Sequence, residues 1–298
     1  MNQNQIAIGS FESSPLALVM SVDRVFLFRK FFVALAVVLV ATGLVFAQRS
    51  GGRNASMNLK SSPSAATKAG TIVGEVKQLG KGQVRSWATF DRQGNPTAIG
   101  LTFSEEALST LPAELPPGQE GMELSLALPA QAASTAFKHI GLDWNPHGHP
   151  PEKIYDVAHF DFHFYMITEE ERAGITVQGD DVARSRRQPA AEYVPEGYIH
   201  VPDSEIPRMG SHWVNPLSKE LQGHAFTTTF LFGSYDGRLV FAEPMISKAF
   251  LETKTNVTEL IKLPAKYARR AYYPTKYSVR YDPAAKEYTV ALEGMTLR

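Results

Sequence analysis

Residues 158–166 concentrate side chains that can bind a metal ion. They read Ala-His-Phe-Asp-Phe-His-Phe-Tyr-Met, and five of the eight histidines in the 298-residue chain fall between positions 139 and 163. With the two-residue period of a β-strand, His159, Asp161 and His163 lie on one face and three phenylalanines lie on the other. An aromatic face behind three potential ligands indicates a strand whose polar face is covered by other parts of the chain.

The rise along a strand limits how these three side chains can share one ion. At about 3.3 Å per residue, Asp161 lies roughly 7 Å from each histidine at the backbone, whereas His159 and His163 lie roughly 13 Å apart. A regular strand therefore predicts that Asp161 and one histidine hold the same ion and that the other histidine belongs elsewhere. Only a bulge that bends the strand would bring both histidines to one ion.

Two further histidines can supply ligands that the central strand lacks. His149 stands between a glycine and two prolines, a rigid turn that can direct its ring inward, and the neighbouring His147 can take its place. His212 lies at the end of a long irregular stretch, residues 178–211, which is rich in Pro, Gly, Arg and Asp. Long irregular segments within compact domains tend to be functional or disordered.

Glu243 is the carboxylate that can complete the site from a distant part of the chain. It shares one face of a short apolar strand with Phe241, and Pro244 is expected to end that strand. A carboxylate on an apolar face requires a partner, because burying it alone costs several kcal/mol. We therefore predict side-chain atoms of Glu243 within about 5 Å, roughly twice a metal–ligand bond, of at least one of His149, His159, His163 and His212.

The predicted metal ligands are His149, His159, Asp161, His163, His212 and Glu243. Imidazole and carboxylate groups suit zinc, iron, manganese or copper, so the expected cofactor is a divalent transition metal of open identity. The alternative for each histidine is a hydrogen-bonded core residue. Asp161 can equally orient a neighbouring imidazole without touching the metal.

Composition excludes several classes of function. Lys and Arg together number 30, as do Asp and Glu; removing residues 1–47 subtracts three basic and two acidic residues, which leaves 27 against 28. A neutral chain lacks the basic excess of a nucleic-acid-binding protein. The absence of cysteine excludes disulfides and thiolate ligands. No nucleophile-elbow, phosphate-loop or His-Glu-x-x-His motif occurs.

The N-terminal segment predicts export. A basic pair precedes seventeen uncharged residues, 31–47, which end in Val-Phe-Ala and so place small residues at positions −3 and −1 of a signal-peptidase site. Residues 1–47 are interpreted as a signal peptide, with Met20 as an alternative start, and the protein as periplasmic, secreted or envelope-anchored. The alternative is an uncleaved anchor, since about twenty apolar residues can span a bilayer. The protein would then contact the membrane only through this segment.

The remainder divides into a linker and one domain. Residues 48–70 are mostly small and polar and are expected to form a flexible linker. Residues 71–298 contain many short alternating segments separated by turn signals such as Asp236-Gly237. This pattern favours a single, mainly β domain, an antiparallel β-sandwich or barrel with a few short helices. Residues 247–261 are the best candidate for a longer helix.

Four separated motifs carry a resemblance to a known family. They are Gly-His-Pro-Pro at 148–151, the central strand, Met-Gly-Ser-His-Trp at 209–213 and Phe-Ala-Glu-Pro-Met at 241–245. With them, the region from about residue 80 to 295 resembles a bacterial family of mostly exported proteins, a domain of unknown function. Its structural representative is a ring-forming thermophile protein controlled by an extracytoplasmic sigma factor. The resemblance implies a mainly β envelope protein that can be a homo-oligomer. The pattern is also similar to cupins, whose usual His-x-His spacing is His-x-Asp-x-His here.

Three functions are consistent with these features. The first is an exported metal-binding β-protein whose exact role, and any small-molecule ligand, are open. The second is a metal-dependent oxidoreductase or hydrolase, which needs an open coordination position and a cleft, with residues 178–211 as its lid. The third is a non-catalytic structural envelope protein that forms homo-oligomers and uses its histidines in the core.

Overall fold

The computed structural model describes residues 69–119 and 121–298. The predicted signal peptide, residues 1–47, and all but the last two residues of the predicted linker, 48–70, lie outside the described residues. Within those described, no helix is long and apolar enough to cross a membrane.

Short strands dominate the described part of the chain, and its four α-helices have five residues each. The strands are β1 (Gly70–Leu79), β2 (Gly82–Phe90), β3 (Pro96–Ser104), β4 (Met122–Ala127), β5 (His139–Asn145), β6 (His159–Tyr165), β7 (Ile199–His200), β8 (Ser211–Val214), β9 (Thr228–Tyr235), β10 (Arg238–Ser247), β11 (Val257–Leu260), β12 (Tyr272–Tyr273), β13 (Lys276–Asp282), β14 (Glu287–Glu293) and β15 (Thr296–Leu297). The helices are α1 (Glu105–Ser109), α2 (Glu169–Ala173), α3 (Asp181–Ser185) and α4 (Lys248–Glu252).

The strands form two large antiparallel sheets in a sandwich-like arrangement, which confirms the predicted mainly β fold. One sheet has six strands in the order β1-β2-β3-β14-β13-β11, and the other has seven in the order β4-β5-β6-β10-β9-β8-β7. The hairpin predicted at Asp236-Gly237 joins β9 to β10. Both turn residues have positive φ, 51° and 79°, as the tight turns of two-residue hairpins require.

The core lies between the two sheets and is built largely from aromatic rings. Phe160 and Phe162 of β6 face Phe103 of β3, with ring centroids 5.7 and 6.3 Å apart. Phe230 of β9 packs on Tyr277 of β13 at 5.1 Å. The phenylalanine face predicted for the central strand is therefore the inner face of the seven-stranded sheet.

The outer face of the seven-stranded sheet is also covered, by chain between the strands rather than by a third sheet. Tyr155 and Phe226 pack against one part of this face, and Ile175 and Met209 against another. Every residue of β6 is buried as a result, although antiparallel sheets often leave one face in water. The predicted long excursion, 178–211, contributes to this cover with little regular structure.

The predicted helix over residues 247–261 is wrong. Ser247 caps a helix of one turn, α4, by accepting a hydrogen bond from the backbone N–H of Phe250. The chain then turns and becomes extended as β11, which pairs with β13. Four β-branched residues between positions 253 and 258 explain the switch, because their side chains fit a pleated strand better than a helix.

The expectation that Pro244 ends its strand is also wrong. The strand β10 continues to Ser247 and lies between β6 and β9, in the interior of the sheet. Pro244 has no backbone N–H to donate, and the ladder between β6 and β10 lacks two consecutive pairs, Glu243 with His163 and Pro244 with Phe162. The register is the same on both sides of this gap.

Replacing Phe162 by Ala is expected to lower the free energy of unfolding by about 3–5 kcal/mol, because it leaves a cavity in the fully buried aromatic core. The measurement is chemical denaturation followed by fluorescence and circular dichroism. Leu260→Ala on the edge strand β11 is the control; Leu260 is 84% exposed, so the change should stay within about 0.5 kcal/mol. Similar losses for the two variants would contradict the described core.

Candidate metal centre

The central strand is regular and holds its ligand residues at fixed spacing. Its pairing with β5 is continuous, from His159 opposite Asn145 to Tyr165 opposite His139, without a bulge. Alternate side chains therefore keep to one face, and the odd-numbered ones point to the covered outer face. As predicted for a regular strand, Asp161 groups with only one of the two histidines on β6, namely His159, while His163 belongs to another group.

The first triad consists of His149, His159 and Asp161, whose ligand atoms all lie within 4.8 Å of one another. Two members come from β6, and His149 comes from the loop that joins β5 to β6. The Nε2 atom of His159 lies 3.1 Å from Oδ1 of Asp161, and that of His149 lies 3.3 Å from Oδ2. Asn145 on β5 fixes Oδ2 by donating a hydrogen bond of 2.8 Å.

The second triad consists of His163, His212 and Glu243, whose ligand atoms also lie within 4.8 Å of one another. Its members come from three strands, β6, β8 and β10. The Nε2 atom of His163 lies 3.3 Å from Oε1 of Glu243. The predicted proximity of Glu243 to a histidine is therefore confirmed, and its carboxylate is 3% exposed.

An aromatic ring forms the apolar wall of the second triad. Phe241 contacts His163 edge to face at 4.8 Å between ring centroids and reaches His212 at 5.5 Å. It can lie across β9 because position 233 is a glycine: a Cβ on Gly233 would lie only 2.0 Å from the ring. Gly233 on β9 therefore leaves the space in which the Phe241 ring packs against the second triad.

Three of the four histidines in the triads have Nδ1 hydrogen-bonded to a backbone carbonyl oxygen, and in the fourth, His163, Nδ1 lies close to a carboxylate oxygen. A carbonyl oxygen can only accept, so an anchored Nδ1 carries the proton and Nε2 is left with a lone pair for the site. For His163, Nδ1 lies 2.8 Å from Oδ2 of Asp143, off the direction of a straight hydrogen bond. The other acceptors are the carbonyl oxygens of Pro150 for His149 (2.7 Å), Val157 for His159 (2.7 Å) and Ser204 for His212 (2.9 Å).

Several inward-facing atoms are buried and lack hydrogen-bond partners among the described residues. They are Nε2 of His159 and of His163, Oδ1 of Asp161 and Oε2 of Glu243. An unsatisfied buried polar group costs about 1–3 kcal/mol. Two ligands of one ion with bonds of about 2.1 Å lie roughly 3.0–3.4 Å apart in octahedral or tetrahedral geometry. The nitrogen-to-oxygen distances of 3.1–3.3 Å match that spacing. The triads can therefore hold a metal ion.

Protonation of the first triad is set by the carboxylate between its rings. Burial alone would lower the pKa of His149, but the charge of Asp161 and its hydrogen bond raise that pKa to about 9. Burial alone would raise the pKa of Asp161, but His159 and His149 hold it well below its usual range. The carboxylate therefore stays ionised and attracts positive charge.

Protonation of the second triad is governed mainly by burial. Burial raises the pKa of Glu243 to about 8 and lowers that of His212 to about 4. Burial also acts to lower the pKa of His163, but the charge of Glu243 and the contact with Asp143 outweigh it and raise that pKa to about 9. The raised pKa values of His163 and Glu243 mean that a metal ion bound here competes with protons.

The remaining histidines lie outside the triads. His147 does not take the place of His149: its side chain is 64% exposed, and its Nε2 atom lies 3.0 Å from Glu114. His200 packs against Trp213 with ring centroids 5.3 Å apart. His224 is exposed.

Three functional neighbours of the triads were not predicted, namely Asp143, Asn145 and Tyr165. Asp143 and Asn145 belong to β5, whose outward residues share the face of the central strand. The ring of Tyr165 stacks on that of His163, with centroids 5.5 Å apart. The alternation of apolar and polar residues over positions 139–145 is the signal that could have identified β5 as the strand beside β6.

The stability of the protein should fall in acid partly because of His139. This ring is 3% exposed and stacks on Tyr165, and burial lowers its pKa from 6.5 to about 4. The unfolded chain therefore binds the proton more readily, so stability is lost as the pH falls from 6.5 towards 4. The variant His139→Phe keeps the aromatic stack but has no group that titrates. Between pH 7 and pH 5, its free energy of unfolding, measured with urea, should fall by about 2 kcal/mol less than that of wild type. His224→Phe at the exposed position should behave like wild type. Equal pH dependence in wild type and His139→Phe would refute the assignment.

Comparison with known proteins gives one match. A family model described as "TTHB210-like: Hypothetical protein TTHB210" matches residues 91–144, which are 54 of the 298 residues. This segment runs from the turn after β2 almost to the end of β5, so it contains Asp143 but none of the triad residues. Searches of curated proteins and of solved structures gave no match. Similarity to an uncharacterised family is thus supported over this segment.

Proposed function

We propose that the protein binds a divalent transition metal on the outer face of its seven-stranded sheet. The ligands are two imidazole nitrogens and one carboxylate oxygen of a triad. The observation that carries this proposal is the orientation of the histidines: Nδ1 of His149, His159 and His212 is hydrogen-bonded to a backbone carbonyl oxygen, which leaves Nε2 as the metal ligand. This arrangement is typical of metal-binding histidines.

Charge supports a cation in this position. Asp143, Asp161 and Glu243 are buried, and within the described part of the chain each forms ion pairs with histidines but with no lysine or arginine. A buried carboxylate requires a positive partner or a proton. A divalent ion satisfies the carboxylate and the inward nitrogens together.

The donor set narrows the choice of metal without selecting one. Two imidazoles and a carboxylate suit zinc, iron, manganese or copper, and the chain offers no cysteine to favour a softer site. Calcium and magnesium are disfavoured, because they prefer ligand sets made of oxygen alone. The bound metal is therefore expected to be a transition metal.

A metal-dependent enzyme, an oxidoreductase or a hydrolase, is the second candidate. Three protein ligands leave at least one coordination position open, as in catalytic rather than structural zinc sites. The side chain of His149 is 37% exposed, so the first triad can be reached from solvent. A metal bound there would act as a Lewis acid or a redox centre, while Asn145 would hold the Asp161 carboxylate in position. Activity that depends on added metal would favour this candidate.

Metal binding is tested on protein purified without a histidine tag and dialysed against each of the four candidate ions in turn. Wild type is expected to retain at least one equivalent of one ion, measured by mass spectrometry of the metal. His159→Gln combined with His163→Gln, one change in each triad, should retain less than about a tenth of an equivalent, because each triad then has only two ligands.

The matched control combines His147→Gln with His224→Gln, which removes two exposed histidines and should leave the metal content unchanged. Circular dichroism establishes whether each variant is folded. Wild-type protein that retains less than about a tenth of an equivalent of every ion would refute the proposal. The histidines would then be core residues of a structural protein.

Export is proposed from the apolar segment 31–47 and its small residues before Gln48. Expression of the full chain in a bacterial host should give an intact mass for a chain that starts at Gln48, recovered outside the cytoplasm. Replacing Ala47 by Tyr should block cleavage and leave the longer chain on the membrane, because signal peptidase requires a small residue at that position. Mature protein that keeps residues 31–47 would indicate an anchor instead.

A further inference from the structure

We propose that the two triads bind two ions at the same time and so form a two-ion centre. This inference rests on the proposed metal binding and goes beyond it in number and arrangement. It predicts one ion between β6 and the loop that carries His149, and another between β6 and β10.

The triads are separate sets of ligands. They have no residue in common, and each closes on three ligand atoms within 4.8 Å. Asp161 and His163, which belong to different triads, are two residues apart on the same face of a regular strand. This spacing corresponds to roughly 7 Å at the backbone. The two positions are thus neighbours on one face rather than a single position.

The charge of the cluster allows two divalent ions but gives them different affinities. The cluster contains three buried carboxylates, those of Asp143, Asp161 and Glu243, against four imidazoles. With all three carboxylates ionised and the imidazoles neutral, the cluster carries a charge of −3, so one divalent ion leaves −1 and a second brings the total to +1. Two divalent ions at neighbouring positions repel each other, so the second should bind more weakly than the first.

The two positions differ in access to solvent. Each triad has one half-buried histidine and two buried members. In the first triad the half-buried residue, His149, is 37% exposed and is carried by a loop, whereas in the second it is His212, which is held on the paired strand β8. The ion of the first triad should therefore exchange faster and be removed first by a chelator. Gly148 fixes the path of this loop: its φ is +71°, and a Cβ there would lie 2.0 Å from the carbonyl oxygen of Tyr155.

The test is the number of ions bound at saturation, measured by equilibrium dialysis with manganese and with zinc. Wild type should bind two equivalents of at least one of them. His149→Gln should bind one, and so should His212→Gln, because each change disables one triad. The combination of both changes should bind fewer than about 0.2 equivalents, and His147→Gln should bind two.

Electron paramagnetic resonance of the manganese-loaded protein adds a measurement that needs no variant. Two manganese ions at neighbouring positions on one face of β6 should broaden each other's spectrum, whereas a second ion bound elsewhere on the surface should not. Broadening should be present in wild type and absent in His149→Gln and in His212→Gln. This result also identifies the pair if a variant fails to fold.

The outcomes separate the inference from the proposed function. Wild type could bind only one equivalent of metal and lose it in both His149→Gln and His212→Gln. Both triads would then serve one ion, and the two-ion centre would be wrong. Two bound equivalents of manganese without broadening of the resonance spectrum would also contradict the two-ion centre. Both results would leave metal binding intact, whereas no bound metal at all would refute both.

Discussion

The pairing of β6 with β5 and β10 is the interaction on which the site depends. Its hydrogen bonds hold the strand straight, so that phenylalanines enter the core between the sheets while His159, Asp161 and His163 all face the other way. The same registers bring Asn145 beside Asp161 and Glu243 beside His163. The core thus fixes the backbone positions of the ligands before any metal is present.

Covering the outer face changes the chemistry of these residues. In water, carboxylates and imidazoles near each other interact weakly, but in a buried cluster each charge must be matched by another or removed by a proton. Tyr155, Phe226 and Phe241 exclude water around the rings, and Val157 and Ser204 supply carbonyl oxygens that orient them. The irregular segments therefore act together with the sheet in building the site.

Much of this arrangement could be predicted from sequence because it depends on local alternation. The two-residue period of residues 158–166 predicted the two faces of β6. A buried carboxylate needs a partner, and this predicted that Glu243 lies close to a histidine. The division of the ligands into two triads depends on which strands become neighbours in space, and no local pattern encodes that. Asp143 was missed although the alternation over residues 139–145 is a local signal for the strand that carries it. Residues 247–261 were misjudged because pairing with β13 outweighs the helical tendency of the segment after its first turn.

Pro244 affects how the second triad can adapt to an ion. At most positions the hydrogen-bond ladder sets the distance between neighbouring strands at about 4.8 Å. The ladder between β6 and β10 is interrupted where His163 lies beside Glu243, and a residue without an amide cannot restore it. Any adjustment of these strands to an ion is confined to this gap, because paired residues flank it on both sides. Discrimination among ions of different radius would then come from the affinity of nitrogen and oxygen donors for each ion rather than from a rigid cavity.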